Sequence, residues 1–323
     1  MRLEIDMSTE ELEELDIPSL PVVRLGRVQA EPDRQPWLIE GLWAEGAVGC
    51  IGGTPKSGKT WLALEMALAV ASGRPCMGRF TVPRRGNVLL YAAEDSPHAL
   101  RERAEQLARA RKLHLDQLGV GLITEPALRL DVPGHRLRLD VTLERLKPRL
   151  LILDPLVRLH RSDENSSADI SELLGFLRGL QREHGVAIAV VHHVRKSGAG
   201  QPGQALRGSG DLHAWGDSNL YLLRRKGGLE LHAEHRSHPS PEPIGIELVS
   251  DPARLEVRPR QPPVNDLDQA VLEALSAGPV GRGQLRDRLR VRNERLGDSL
   301  DRLLAAGRVQ RTDVGWAVPR SRP

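Results

Sequence analysis

Cysteine is nearly absent: Cys50 and Cys76 are the only two in 323 residues. That excludes the disulfide framework of a small secreted domain and any cysteine-rich zinc module. Long apolar runs are missing too. No stretch of about 18 apolar residues exists, so nothing reads as a membrane span. The start of the chain lacks the basic and apolar character of a targeting peptide and is acidic instead (Glu10, Glu11, Glu13, Glu14, Asp16). The expected compartment is the cytoplasm. Aromatics are only 3%. Lysine is scarce: Lys56, Lys59, Lys112, Lys147, Lys196 and Lys226 are all there is, which leaves 40 of the 46 basic residues as arginine. Such a bias looks codon-level, so a lysine inside a motif carries extra weight.

What remains is ordinary for a globular chain, with 40% hydrophobic and 28% charged residues. The length fits about two domains of roughly 100–200 residues. A net charge of +3 and a pI near 9.1 are compatible with a nucleic-acid partner without requiring one.

Residues 1–36 hold nine acids against four arginines and read as a weakly ordered acidic lead-in, with one short helix at Ser8–Leu15. From 37 to 258 the pattern changes. Short apolar runs at Val48–Ile51, Asn87–Ala92, Leu150–Asp154 and Val186–Val191 read as buried strands. Amphipathic stretches at Thr60–Ser72, Ala99–Arg111 and Ile170–His184 read as helices. This alternation predicts an α/β fold around a mainly parallel sheet covered on both faces. Asn219–Leu223, Leu229–Ala233 and Gly245–Val249 read as added edge strands or a hairpin. Residues 259–265 form a Pro/Arg-rich linker. Residues 266–323 then carry three helices (Asp266–Ala277, Gly281–Arg290, Val291–Ala306) and a two-strand ribbon over Arg308–Val318, the pattern of a small winged-helix domain.

Gly53-Thr54-Pro55-Lys56-Ser57-Gly58-Lys59-Thr60 fits the phosphate-loop spacing G-x-x-x-x-G-K-[ST]. Glycines let the backbone curl so that its N–H groups face phosphate oxygens, and the following helix, from Thr60 and Trp61 onward, adds its N-terminal dipole. Lys59 brings a point charge to the β- and γ-phosphates of ATP, and Thr60 a hydroxyl ligand to Mg²⁺. Asp154, at the end of an apolar strand, stands where a second Mg²⁺-directed carboxylate belongs. Glu94 and Asp95 end another strand, and either could deprotonate an attacking water; the bland alternative is that both cap the next helix.

Together these residues resemble the RecA-like plasmid RepA-type ATPases, relatives of DnaB-type and phage ring helicases. The resemblance covers about residues 37–250 and is carried by GGTPKSGKTWLALEMALAVASG, AAEDSPHALRER and VAIAVVHHVRK. It implies that Glu94 is the catalytic base. It implies that His193, with His192 beside it, is the γ-phosphate sensor, a histidine where glutamine is usual. Adjacent strand residues face opposite ways, so one of the two reaches the phosphate. Arg207-Gly208-Ser209-Gly210, Asp217 and Arg224 are similar to the ring-helicase run whose last arginine is a finger into the neighbouring subunit. Arg225 is adjacent, and Arg236 lies where the family often has a basic residue near the neighbour's nucleotide. The implied assembly is a homo-oligomer, a hexameric ring with ATP between subunits.

The stretch Arg195–Gly210 is basic and rich in glycine, and loops in this position line the channel in the resembling family. Arg195, Lys196 and Arg207 would neutralise phosphates of single-stranded DNA; with no aromatic present, backbone binding without sequence preference is expected. The C-terminal domain has 11 arginines against eight acids and is expected to contact duplex DNA or a protein partner, although Glu294, Asp298 and Asp301 oppose phosphate on its third helix. His232, His235 and His238 lie close in sequence but lack the ligand pattern of zinc. The expected function is a DNA-dependent ATPase, a RepA-type replicative helicase or related ring motor. The alternative is a regulatory or recombination-mediator ATPase that uses ATP to switch assembly without unwinding.

Overall fold

The buried Val/Ile/Leu strands of the sequence assemble into one twisted sheet with helices on both faces. A computed structural model describes residues 22–28, 36–161, 167–193, 210–225, 228–258 and 266–319. The expected helix at residues 8–15, the basic stretch from 195 through 209 with Arg195, Lys196 and Arg207, and the linker 259–265 lie outside the described residues.

Two compact units divide the chain, Met1–Gln35 and Pro36–Pro323. In the first, one 3-10 turn spans Leu25–Arg27, and Val22, Val23, Leu25 and Val28 are exposed. The second opens with a small antiparallel pair, β1 (Trp37–Ile39) and β2 (Trp43–Ala44). Then follow β3 (Val48–Gly53), α1 (Lys59–Ser72), β4 (Val88–Ala92), α2 (Pro97–Ala110), β5 (Val120–Leu122), α3 (Pro133–Leu146), β6 (Leu150–Asp154), α4 (Ser167–His184), β7 (Ala187–His193) and α5 (Gly210–Trp215). Four strands complete the sheet: β8 (Ser218–Arg225), β9 (Gly228–His235), β10 (Ile244–Val249) and β11 (Arg254–Arg258). The order across it is β11-β10-β9-β8-β3-β7-β6-β4-β5. From β8 to β5 all neighbours are parallel, and β9 to β11 continue antiparallel.

β3 and β6 are wholly buried, as two covered faces require. One core layer holds Leu62, Met66 and Leu68 of α1 with Leu100 and Leu107 of α2. The other holds Leu139 and Leu143 of α3, Leu173, Leu177 and Leu180 of α4, and Leu212 of α5. α1 has ten buried residues of its fourteen, so it is apolar nearly all round, the mark of a fully packed helix. It ends on Gly73, whose positive φ of 74° lets its N–H close on Ala69 O at 2.8 Å. Beneath α1, the carboxylate of Glu65 accepts from Met77 N and pairs with Arg111 Nη2 at 3.2 Å.

Of the two alternatives read for these strands, β8 and β9 form the antiparallel hairpin, closing at Arg225 and Gly228, but β8 is not at an edge. It is the parallel neighbour of β3, with Leu220, Tyr221 and Leu222 buried. The close approach depends on Gly49: a Cβ there would lie 1.7 Å from Ser218 O. β1, β2, β5, β11, α3 and α5 have no counterpart in the sequence reading. α3 escaped because its apolar residues are split, with Leu139 and Leu143 buried but Leu137 and Val141 exposed, so no single stripe marks it.

Near the C-terminus, α6 (Asp266–Leu275), α7 (Arg282–Leu289) and α8 (Asn293–Ala305) precede a ribbon of β12 (Gln310–Thr312) and β13 (Gly315–Ala317). A third apolar cluster, including Val271, Leu285, Leu296, Leu300 and Trp316, joins them.

Candidate active site

The carboxyl ends of the parallel strands meet at one edge of the sheet, and the expected site residues gather there. β3 runs into the loop Gly53–Gly58, which turns into α1 at Gly58, a residue with φ of 92°. Gly53 has no room for a side chain, since a Cβ would stand 2.6 Å from Ser57 Oγ and 2.9 Å from Leu222 O. Pro55 and Lys56 are exposed at the tip and Thr54 is partly buried. Ser57 is buried, and its Oγ has no hydrogen-bond partner among the described residues.

Lys59 is 5% exposed. Its Nζ donates to Gly53 O and Thr54 O, each at 3.0 Å. Burial lowers its pKa, against the opposing pull of Asp154 and Glu94. A buried ammonium held by two backbone carbonyls, beside an orphaned buried hydroxyl, is a cradle that suits an anionic phosphate. Thr60 Oγ1 donates to Asp154 Oδ2 at 2.8 Å, bringing two hard oxygen donors together between α1 and β6. Burial is the main reason the Asp154 carboxyl is pushed up to about 6; Asp95 and Glu94 add to it, and Thr60 and Lys59 oppose it. These donors fit a hard divalent cation such as Mg²⁺. Trp61 follows on α1, with the Arg103 guanidinium 5.9 Å from its ring centre.

Glu94 and Asp95 part company beyond β4. Asp95 pairs with Arg103 of α2 at 2.7 Å. Glu94 stays at the sheet edge, 3.2 Å from Arg158 Nε and 3.9 Å from His193 Nε2. Arg158 lies just past β6, in the 3-10 turn Leu156–Arg158, and was not singled out in the sequence. The only hint was its position four residues after Asp154. His193 pairs in register with Gly53, and His192 with Gly52, so His193 sits level with the start of the phosphate loop.

Arg224 lies near the same edge. Leu222 pairs with Gly53, so Arg224 is two residues beyond, and it is exposed. The side chain of Arg225 lies outside the described residues. Asp217 and Arg236 are elsewhere. Asp217 is at the opposite end of β3, where Oδ2 accepts from Val48 N at 3.3 Å. Arg178 of α4 and Arg236 Nη1, at 3.3 Å, both pair with Asp217. Arg236 is thus engaged within its own chain, away from the phosphate loop. His232 pairs with Glu230, while His235 and His238 pack on Trp37. Among the described residues, the grouping with metal-ligand spacing is Asp140, Glu183 and His184, between α3 and α4.

Residues 10–199 match a protein-family model described as an AAA domain. The chain is 27% identical to the DNA repair protein RadA of Synechocystis sp. over 162 residues, covering 48% of this chain and 30% of that protein. It is 22% identical to the DNA repair protein RadA of Streptococcus pneumoniae over 198 residues, covering 60% and 41%. The chain therefore spans about a third to two fifths of the length of these curated relatives. A solved structure of a DnaB-like replicative helicase, described with its interactions with primase, is similar in fold, with a TM-score of 0.50 and 16% identity over 66% of this chain and 57% of that one.

Proposed function

The chain belongs to the AAA-domain family and has a RecA-like P-loop ATPase core, and from that premise we propose that it hydrolyses ATP at subunit interfaces as a DNA-dependent ring motor of the RepA type. One observation carries the reading. Lys59, the Thr60–Asp154 pair and Glu94 converge at one sheet edge, around a buried cation whose hydrogen bonds among the described residues run to the backbone carbonyls of Gly53 and Thr54.

In this mechanism the loop Gly53–Gly58 and Lys59 bind the β- and γ-phosphates. Thr60 and Asp154 hold Mg²⁺, which when bound supplies positive charge to the phosphate oxygens. Glu94 accepts the proton of the attacking water as its oxygen bonds to the γ-phosphorus; the bond to the bridging oxygen breaks, leaving ADP and inorganic phosphate. His193 contacts the γ-phosphate. Arg224 reaches the nucleotide of the neighbouring subunit in a hexameric ring. Arg195, Lys196 and Arg207 take single-stranded DNA by its backbone, and residues 266–323 act as a winged-helix-like targeting domain joined through 259–265. The DNA-related names of the relatives support the nucleic-acid side.

The test is ATP turnover with and without single-stranded DNA, read beside particle mass. The expected result is DNA-stimulated turnover by a multimer. A chain that stays monomeric with every nucleotide and is indifferent to DNA sinks the proposal. A second reading, a regulatory or recombination-mediator ATPase that uses ATP to switch assembly without unwinding, takes its support from two relatives named as DNA repair proteins. Strand displacement on a forked duplex separates the two.

A further inference from the structure

Six of the 40 arginines fall within residues 282–295: Arg282, Arg286, Arg288, Arg290, Arg292 and Arg295. At the chain's average frequency a window of that length would hold about two. Their placement is uneven. α7 buries Leu285 and turns Arg282 and Arg286 to solvent. Arg286 pairs with neighbouring Asp287 at 2.8 Å, Arg282 donates to Asn293 O at 3.1 Å, and Arg288 to Ala274 O at 3.4 Å. Arg290 closes α7 with φ of 52°, Arg292 precedes α8 as its N-cap, and Arg295 lies on its first turn. These last three are exposed, and none forms an ion pair with a described carboxylate. The α7–α8 turn and the first turn of α8 thus hold three cations in six residues, none of them ion-paired among the described residues.

α8 presents the opposite sign. It buries Leu296, Ser299, Leu300 and Leu303. Glu294, Asp298 and Asp301, at i, i+4 and i+7, line the centre of the outward face, and all three are exposed. A helix with this face is repelled by the phosphates that flank a major groove. Trp316, the one aromatic ring of this region, is buried, so no base-stacking platform is offered.

We propose that residues 266–319 bind duplex DNA through its phosphate backbone, with Arg290 and Arg292 of the α7–α8 turn and Arg295 of the first turn of α8 as the contacts, and the acidic face of α8 held out of the major groove. The inference deepens the reading of these helices as a targeting domain and does not depend on ATP hydrolysis. Guanidinium groups pair with phosphate oxygens in a fork and release the counterions condensed there. Binding of this kind carries no base sequence and weakens steeply with salt.

The experiment uses the full chain without nucleotide and blunt duplexes of two unrelated sequences, followed by fluorescence anisotropy across a salt series. The wild type is expected to bind both duplexes equally. The triple variant Arg290→Ala, Arg292→Ala, Arg295→Ala is expected to lose at least about tenfold in affinity, with the slope of log affinity against log salt reduced by about 3, near 0.9 per phosphate. Lysines at the same positions are expected to restore the slope, which a folding defect would not allow. The variant Glu294→Gln, Asp298→Asn, Asp301→Asn is expected to bind at least as tightly as the wild type. The proposal is overturned if the arginine variant keeps the wild-type slope. It also falls if the wild type ignores duplex DNA, which leaves a protein as the partner. A preference for one sequence that the α8 variant abolishes would put α8 in the groove and overturn it too. ATP turnover is measured separately, so a hydrolytically inactive chain that binds duplex in this way defeats the functional proposal alone.

Discussion

Lys59 has 5% of its surface exposed, and its Nζ donates to the backbone carbonyls of Gly53 and Thr54. Lys59→Ala is expected to cut ATP turnover by at least about 100-fold, as loss of a preorganised charge at a developing oxyanion does. Glu94→Gln is expected to lose about 10²–10⁴ in kcat while nucleotide binding, followed by a fluorescent analogue, changes little. Arg158 occupies one oxygen of that carboxylate through a pair that is half exposed. Such pairs contribute about 0.2–1 kcal/mol, so Arg158→Ala is expected to raise DNA-free turnover by about 1.5–5-fold; an unchanged or lower rate would show that the pair does not restrain Glu94. Asp154, pushed up to about 6 mainly by burial, sets a pH dependence. Above that pH it is a carboxylate ready for Mg²⁺. Below it, a proton must leave first, so the Mg²⁺ needed for half-maximal turnover is expected to rise about tenfold per pH unit as pH falls.

At the scale of elements, two contacts hold the phosphate loop's supports. Glu65 of α1 is buried with Arg111, which follows α2, and also accepts from Met77 N. Glu65→Ala leaves Arg111 buried without its partner, at a cost of about 3–5 kcal/mol, measurable by denaturant unfolding. Gly49→Ala would drive a methyl group into Ser218 O and part β8 from β3. Its expected outcome is loss of cooperative unfolding or of soluble protein; a variant as stable as the wild type would show that the strands can part cheaply. Local pattern made β3, β4, β6, β7 and α1 legible, because both-face burial writes an unbroken apolar run. It hid α3, whose apolar residues face two ways, and it left β8 between an edge strand and a hairpin arm without its parallel pairing to β3, because strand neighbours are chosen across the fold rather than along the chain.

For the whole molecule, cysteine scarcity acquires a physical consequence. Both cysteines are free and fully buried, and burial pushes the Cys50 thiol up to about 12. Neither is expected to react with a thiol reagent until the chain unfolds, when both should titrate together. No described helix is long and apolar enough to cross a membrane. The amino-acid sequence by itself carried the phosphate-loop spacing, the strand-end position of Asp154 and the parallel α/β class, and left Glu94 and Asp95 side by side at the end of another strand. These rest on short spacings and on apolar periodicity, which a linear chain carries in full. Only the tertiary structure decided that Asp95 pairs with Arg103, that Arg158 and His193 meet Glu94, and that Asp217 and Arg236 pair at the far end of β3. Those pairings join side chains by the directions their elements take, and direction is set by sheet order and register, which no local spacing encodes.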